Sequence, residues 1–257
     1  MVIIPAYNEA ESIEAVVEEL RGIPELDYLV VTDGSLDGTP DICAGRGYHF
    51  LRLPVNLGLA GCFQAGMKYA HRKGYRYAVQ FDGDGQHRPE FILPMREKMR
   101  EGYDIVLGSR FCKHTAQKNE RIPAFASPAG KEEHTALSEA SSGAQKQQEN
   151  QMNALRSLGS VLIRMAIRLT TGAVVTDPTC GLRMYDRRMI EDFAEHLNYA
   201  PEPDTVSFLI KNGAKAAEVP VLVRERECGQ SYLRPWNAAK YMLKMLTSIL
   251  IVQNFRA

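Results

Sequence analysis

Two carboxylates stand one residue apart in Phe81-Asp82-Gly83-Asp84-Gly85-Gln86-His87, at the end of an apolar run from Tyr75 to Phe81. A strand that delivers both into a Gly-flanked loop offers hard oxygen ligands to Mg²⁺ or Mn²⁺, ions whose usual co-ligands are the phosphates of a nucleotide. The same four residues, Asp82 to Gly85, are also a good turn, because glycine tolerates positive φ and aspartate hydrogen-bonds its own backbone. A calcium loop of the EF-hand type is the poorer reading, since His87, Arg88 and Pro89 do not supply its remaining oxygen ligands.

Carboxylates placed this way need a sheet whose strands end together, and the chain supplies one. Apolar runs alternate with helical patterns from the start, the signature of a mostly parallel sheet flanked by helices. Val2 to Ile4 reads as a strand, followed by a helix with Ile13, Val16, Val17 and Leu20 on its apolar face. Tyr28 to Thr32 is the next strand, and Asp33-Gly34-Ser35-Leu36-Asp37-Gly38 turns into a helix with Thr39 as its cap and Pro40 at its first position. A strand near Tyr48 to Leu53 precedes a helix marked by Ala60, Phe63, Met67 and Ala70. The strand Tyr75 to Phe81, a helix from Pro89 to Arg100 and a strand from Asp104 to Leu107 complete the first half. Residues 114–152 are rich in Ala, Ser, Gln, Glu and Lys and cannot bury enough surface to offset their ordering entropy. They read as a polar mobile loop that either gates a substrate or stays disordered. Helices then follow near Leu155 to Leu169, Arg187 to His196 and Thr205 to Asn212, with a strand near Ala216 to Arg224.

With 31 basic and 31 acidic residues in 257, nothing draws the chain to nucleic acid as a whole, so phosphate binding must be local. Cys43, Cys62, Cys112, Cys180 and Cys228 form no Cys-x-x-Cys pair, which argues against zinc and for reduced thiols in a cytosol. The opening Met1-Val2-Ile3-Ile4-Pro5 has no signal-peptide pattern, and no stretch reaches the ~20 apolar residues of a spanning helix. Trp236 to Val252, interrupted by Lys240 and Lys244, predicts an amphipathic helix within 235–257. It either packs on the domain or lies against a membrane surface or a membrane-protein partner.

Taken in order, Ile4-Pro5-Ala6-Tyr7-Asn8-Glu9, Thr32-Asp33-Gly34-Ser35-Leu36-Asp37-Gly38-Thr39 and Asp82-Gly83-Asp84-Gly85-Gln86 resemble the inverting glycosyltransferases of family 2, of GT-A fold. Gly108-Ser109-Arg110-Phe111, Asp177-Pro178-Thr179-Cys180-Gly181-Leu182-Arg183 and Glu225-Arg226-Glu227-Cys228-Gly229-Gln230-Ser231 resemble the branch of dolichyl-phosphate mannosyltransferase and bacterial polyprenyl-phosphate sugar transferases. The resemblance spans nearly all the chain outside the polar loop and implies a single GT-A domain over 1–257. It implies that Pro5, Tyr7 and Glu9 hold base and ribose, at the strand edge where open α/β sheets bind ligands, and that Asp33 contacts the base. As the resemblance has it, Asp84 is the principal ligand of a Mg or Mn ion, Asp82 faces the donor sugar or ribose and helps orient the metal, and Gln86 completes the shell. Three departures stand out: Thr32 where a second aspartate is common, Tyr232 where lysine often follows Ser231, and no C-terminal spanning helices.

The acceptor follows from what is missing. A sugar hydroxyl needs a carboxylate base, yet no Glu-Asp pair appears between Arg110 and Thr176, and Glu191-Asp192 sits in a charged surface helix. A lipid monophosphate is largely dianionic at neutral pH and needs cationic forks instead. Arg110, Arg183 and Arg226 lie where the resembled branch binds phosphate, and Ser231 could donate to a diphosphate oxygen. These features predict a cytoplasmic enzyme, peripheral on the inner face of the membrane. It moves a sugar from a nucleoside diphosphate donor to a polyprenyl phosphate. Two alternatives stay open: transfer to a hydroxyl of a growing cell-surface polysaccharide, with Asp204 as base, and a nucleotide-sugar binder without turnover. Nucleotidyl transfer fits poorly, because Ala6-Tyr7-Asn8-Glu9 is not a Gly-rich basic loop.

Overall fold

The computed structural model describes residues 1–112, 159–196, 199–224 and 235–255, of which 235–239 by backbone alone. The expected loop 114–152, Arg226 and Ser231 all lie outside the described residues.

Val2, Ile3 and Ile4 are all buried, which suits a strand paired on both edges and covered on both faces. That strand, β1 (Val2–Ala6), lies between β2 (Tyr28–Asp33) and β4 (Tyr77–Gln80), with β3 (Phe50–Leu53) outside β2, and all of these pairings are parallel. Beyond β4 come β6 (Arg183–Asp186), β5 (Ile105–Ser109) and β7 (Ala216–Pro220), giving the order β3-β2-β1-β4-β6-β5-β7. β6 runs antiparallel to both neighbours, while β7 is parallel to β5. The strand β6 was not expected from the sequence: Arg183 and Asp186 bracket only Met184 and Tyr185, and charge at both ends hides a fully inserted strand.

Alternation along the strands sorts the core into two layers. Val2, Ile4 and Val30 face α1 (Ile13–Arg21), α2 (Thr39–Gly45) and α4 (Ile92–Arg100), which bring Ile13, Val16, Val17, Leu20, Cys43, Ile92 and Met95. Ile3, Leu29 and Val31 face the other layer. This layer is made of α3 (Gly58–Arg72), α5 (159–171), α6 (Arg187–Glu195), α7 (Pro203–Lys211) and α8 (Pro235–Leu250). The i, i+3, i+4, i+7 face expected for α1 is the face it buries. In α3 the stripe is Cys62, Phe63, Gly66, Met67 and Ala70, so Ala60 falls at its half-buried edge. The expected helix from Pro89 opens as a 3₁₀ turn, Pro89–Phe91, before α4. Glu191 is exposed on α6, as a solvated surface position requires.

β1 is the point where the connections part: β2 and β3 are laid down on one side of it and β4 on the other. The loops after β1 and β4 therefore open a crevice at the carboxyl edge of the sheet, where such folds take ligands. No described helix is long and apolar enough to cross a membrane. α8 packs through Met245, Ser248 and Ile249, which are buried, and leaves Leu243 and Leu250 exposed.

Candidate active site

The two N-terminal motifs fold into one knot. Asn8 takes a left-handed φ of 57°, its N–H donates to Ser35 Oγ at 3.1 Å, and its Oδ1 accepts from Leu36 N at 2.9 Å. Glu9 N donates to Thr39 Oγ1 at 2.9 Å and Ala10 N to Asp37 Oδ2 at 3.0 Å. Burial opposes ionisation of Asp37, but hydrogen bonds from Thr39 and Ala10 keep its carboxyl below the usual value. Thr39 is thus not the cap of α2. Gly38 holds that position, and Thr39, at the first helical position, turns its hydroxyl to the β1 loop. At the end of β1, Tyr7 is 39 % exposed and Pro5 and Glu9 are half-buried, with Glu9 Oε2 accepting from Ser12 Oγ at 2.9 Å.

Asp33 is buried, and its Oδ1 accepts from Leu57 N at 2.7 Å, which fixes the turn leading into α3. Gly34 beside it lies at φ +62°, where a Cβ would meet Asn56 N at 2.5 Å, so only glycine fits. Thr32, the departure from the resembled pattern, is fully buried beneath the Asp33 loop.

Phe81 N donates to Ile3 O at 3.0 Å, and this register brings Asp82 out beside the end of β1. A Cβ on Gly83 would stand 3.3 Å from Pro5 O and 3.7 Å from Glu9 Cγ, which measures how closely the two loops meet. Asp82 Oδ2 lies 3.1 Å from His87 Nε2, and Gln80 Nε2 donates to its Oδ1 at 3.3 Å. Burial works against the Asp82 charge, yet the His87 and Gln80 hydrogen bonds and the field of Arg183 hold its carboxyl below the usual value. Asp84 Oδ1 accepts from Gln86 N at 3.1 Å, the self-satisfied turn foreseen as the plainer reading of this motif. Gln86 O in turn accepts from Arg224 N at 2.9 Å, so the described chain leaves β7 toward 225–234 right beside this loop.

Two members of the site escaped the sequence reading. His87 is buried, packs edge-on against Phe81 and braces Asp82. Its signal was its place five residues after Asp82. Gly181 lies so close that a Cβ there would meet Asp82 Oδ2 at 2.2 Å and His87 Nε2 at 3.0 Å. Through Gly181, the Asp177–Arg183 motif seats directly on the first carboxylate.

That motif organises the other bank of the crevice. Arg110 grips Asp177 with two parallel bonds, Nε to Oδ2 at 2.7 Å and Nη2 to Oδ1 at 2.8 Å, and reaches Thr179 Oγ1 at 2.9 Å. Burial raises the cost of the Asp177 charge, but the Arg110 guanidinium and N–H hold its carboxyl below the usual range. Glu218 of β7 accepts from Thr176 N and Asp177 N at 2.8 and 2.9 Å, and Ser109 Oγ meets Thr176 Oγ1 at 2.7 Å. Arg183 is 2 % exposed and donates to the carbonyls of Cys180 at 3.0 Å, Pro178 at 2.8 Å and Pro201. Asp204 is buried at the start of α7, where its Oδ2 accepts from Ser248 of α8 at 2.6 Å.

The family described as Glycosyl transferase family 2 matches residues 1–193. This chain belongs to that family. It is a glycosyltransferase. It is 31 % identical over 241 residues to an undecaprenyl-phosphate mannosyltransferase from Micrococcus luteus, covering 90 % of this chain and 86 % of the other. It is 26 % identical to a polyprenol monophosphomannose synthase from Mycolicibacterium smegmatis, covering 95 % and 84 %. Among solved structures, it is similar to glucosyl-3-phosphoglycerate synthase from Mycobacterium tuberculosis in complex with Mn²⁺, UDP-glucose and phosphoglyceric acid. The TM-score is 0.59 at 18 % identity, over 100 % of this chain and 79 % of that one. At that identity the likeness speaks for the fold, and it is the GT-A architecture that the motifs implied.

In this glycosyltransferase no group of three or more His, Cys, Asp or Glu side chains converges among the described residues. The described residues alone therefore build no cage of protein ligands. Mg²⁺ and similar hard ions instead keep water and combine one or two carboxylates with substrate phosphates. Asp82 and Asp84, with the Gln86 amide on the same loop, fit that arrangement.

Proposed function

We propose that this glycosyltransferase moves a sugar from a nucleoside diphosphate donor to a polyprenyl phosphate with the help of Mg²⁺ or Mn²⁺. The observation that carries the reading is the contact at Gly181, which sets the guanidinium-bearing motif against Asp82 of the carboxylate loop. The named activities of the Micrococcus and Mycolicibacterium relatives support the same acceptor.

The donor base and ribose enter beside Pro5, Tyr7, Glu9 and Asp33, and the diphosphate lies over the Asp82–Gln86 loop. When bound there by Asp84, Asp82 and Gln86, a divalent ion supplies Lewis-acid neutralisation of the diphosphate leaving group. His87 and Gly181 hold Asp82 in one place, so the carboxylate needs no reorganisation when the donor arrives. An oxygen of the acceptor phosphate attacks the anomeric carbon as the bond to the diphosphate breaks, and configuration inverts. The dianion carries no proton on the attacking oxygen, so no carboxylate base is required. Arg110, Arg183, Arg226 and Ser231 are proposed to receive the acceptor or diphosphate oxygens.

Purified protein is incubated with a panel of nucleotide sugars, Mn²⁺ and polyprenyl phosphate. Release of nucleoside diphosphate is expected only when the lipid phosphate is present. Release with a sugar-hydroxyl acceptor alone would overturn the acceptor assignment and make Asp204 the base to examine.

The apolar side chains left exposed at the end of the chain, Leu243, Leu250, Ile251, Val252 and Phe255, support peripheral contact with the membrane that carries such a lipid.

A further inference from the structure

Resting on the acceptor reading above, we propose that Arg164 is a further residue that binds the acceptor phosphate, reaching it from the Phe111 ring that it shares with Arg110. The two described arginines already named are heavily committed. Arg110 is neutralised by a two-point pair with buried Asp177, and Arg183 directs Nε, Nη1 and Nη2 to three backbone carbonyls. The opposite bank of the crevice carries Glu9, Asp33, Asp82 and Asp84. An incoming dianion therefore meets a site whose described cations are offset and whose carboxylates repel it.

Arg164 differs from both. It projects from α5, half-buried, and no carboxylate among the described residues forms an ion pair with it. Its guanidinium lies 6.0 Å from the Phe111 ring, and that of Arg110 lies 5.5 Å from the same ring. Phe111 stays 56 % exposed between them. A cation over an aromatic face keeps its charge and its outward N–H groups, because the ring offers no lone pair to consume them. Among the described residues Arg164 makes one hydrogen bond, Nη1 to Thr176 O, which is long at 3.5 Å and aims the side chain at the residue before Asp177. Arg164 thus rests on the same pair of strand-end loops as Arg110, with no ion pair to offset its charge among the described residues. The ligand class is a phosphate monoester, carried by a lipid or by a small soluble acid.

The test uses the full chain with donor and Mn²⁺, and measures initial rates against polyprenyl phosphate in detergent and against phosphoglyceric acid. Arg164→Gln is expected to raise the KM for whichever phosphate wild type accepts by about 10- to 100-fold, the worth of one charge-assisted hydrogen bond. The donor KM should stay within about twofold, since no donor contact is removed. Arg164→Lys should fall between the two, having the charge without the fork, and the salt dependence of the acceptor KM should flatten in Arg164→Gln. Arg168→Gln, one turn further along α5 and exposed, serves as a control expected to match wild type.

An unchanged acceptor KM in Arg164→Gln, or equal losses for donor and acceptor, would sink the Arg164 assignment while leaving lipid-phosphate transfer standing. If wild type itself transfers to no phosphate acceptor, the acceptor reading falls first, and the role of Arg164 with it.

Discussion

The two banks of the crevice are held by different means. On the donor bank, carboxylates are fixed by N–H groups close in sequence: Asp84 by Gln86 two residues on, and Asp33 by Leu57 at a separation of 24. On the opposite, proposed acceptor bank, the Arg110 guanidinium is fixed by a carboxylate from a distant segment, Asp177 across 67 residues, while Arg183 is held by the nearer carbonyls of Pro178, Cys180 and Pro201. The donor bank is thus pre-charged for a cation. On the opposite bank Arg110 and Arg183 are already committed, the proposed Arg164 forms no ion pair among the described residues, and the proposed Arg226 and Ser231 lie in 225–234, beyond the described chain. Under the proposed function, the donor is met by turns built from nearby residues and the acceptor by an arginine set through a contact that joins two distant loops.

Removing Asp84 should have the largest effect. Asp84→Ala is expected to lower kcat by about 10²- to 10³-fold or more, the scale seen when a preorganised electrostatic group is lost. Its thermal midpoint should move by less than about 4 °C, because the half-buried side chain braces a loop turn and not the core. Full turnover in that variant would break the donor-bank account. Next comes the seam between the banks. Gly181→Ala places a methyl at 2.2 Å from Asp82 Oδ2, and displacing that carboxylate by about an ångström is expected to cost on the order of 10²-fold in kcat. Gly83→Ala, whose nearest contact is 3.3 Å, should be milder in the same assay.

Arg110→Gln tests whether the acceptor bank is structural as well as chemical. It leaves the buried Asp177 carboxylate short of its partner. A loss of about 1–3 kcal/mol is expected in denaturant unfolding, discounted because the Arg110 side chain is 41 % exposed. The pH dependence has a definite sign. The folded Asp177 carboxyl lies below its ordinary value of 3.8, so the pair's contribution is present above that value and is lost as pH falls beneath it. Wild type should therefore shed stability on acidification below about pH 4, and Arg110→Gln should show a shallower acid limb. Parallel limbs would remove the pair from the account.

Asp33→Asn keeps an oxygen for Leu57 N but removes the charge proposed to face the base. The donor KM should rise about tenfold with kcat unchanged, by calorimetry and steady-state rates together. The smallest effect concerns the membrane. Lys240→Glu combined with Lys244→Glu should reduce sedimentation with anionic liposomes, at about 1 kcal/mol per charge reversed or less. Equal partitioning would retire the surface-binding role of α8.

Legibility in the sequence followed the same divide. Strands β1, β2 and β4 and the apolar face of α1 were readable because parallel buried strands and amphipathic helices write their period into consecutive residues. So was the placement of Asp82 and Asp84 at the end of β4. Strand β6 was not readable, since its four residues begin with an arginine whose burial makes sense only once three carbonyls from two other loops surround it. His87 and Gly181 were hidden for a related reason: one looks like a turn residue and the other like a spacer until the loop from β6 closes over Asp82. Thr39 was misplaced by one position because its hydroxyl answers to Glu9 N, a partner 30 residues away that no local capping rule can see.

The short contact between Ser109 and Thr176 has a bearing on how this fold diversifies. The loop after β5 and the loop before β6 meet at this hydroxyl pair at 2.7 Å, so the ends that carry Arg110 and Asp177 are clasped together. Ring-closure statistics charge only about 0.6 kcal/mol for each doubling of the excursion between them. Changes of length between Cys112 and α5 should therefore leave the seven-stranded scaffold and the carboxylate loop undisturbed, whereas α5 itself buries Ile163, Ala166 and Ile167 in the core and must stay. Exchanging this cassette between relatives would then be a practical route to re-targeting acceptor choice on an unchanged donor platform.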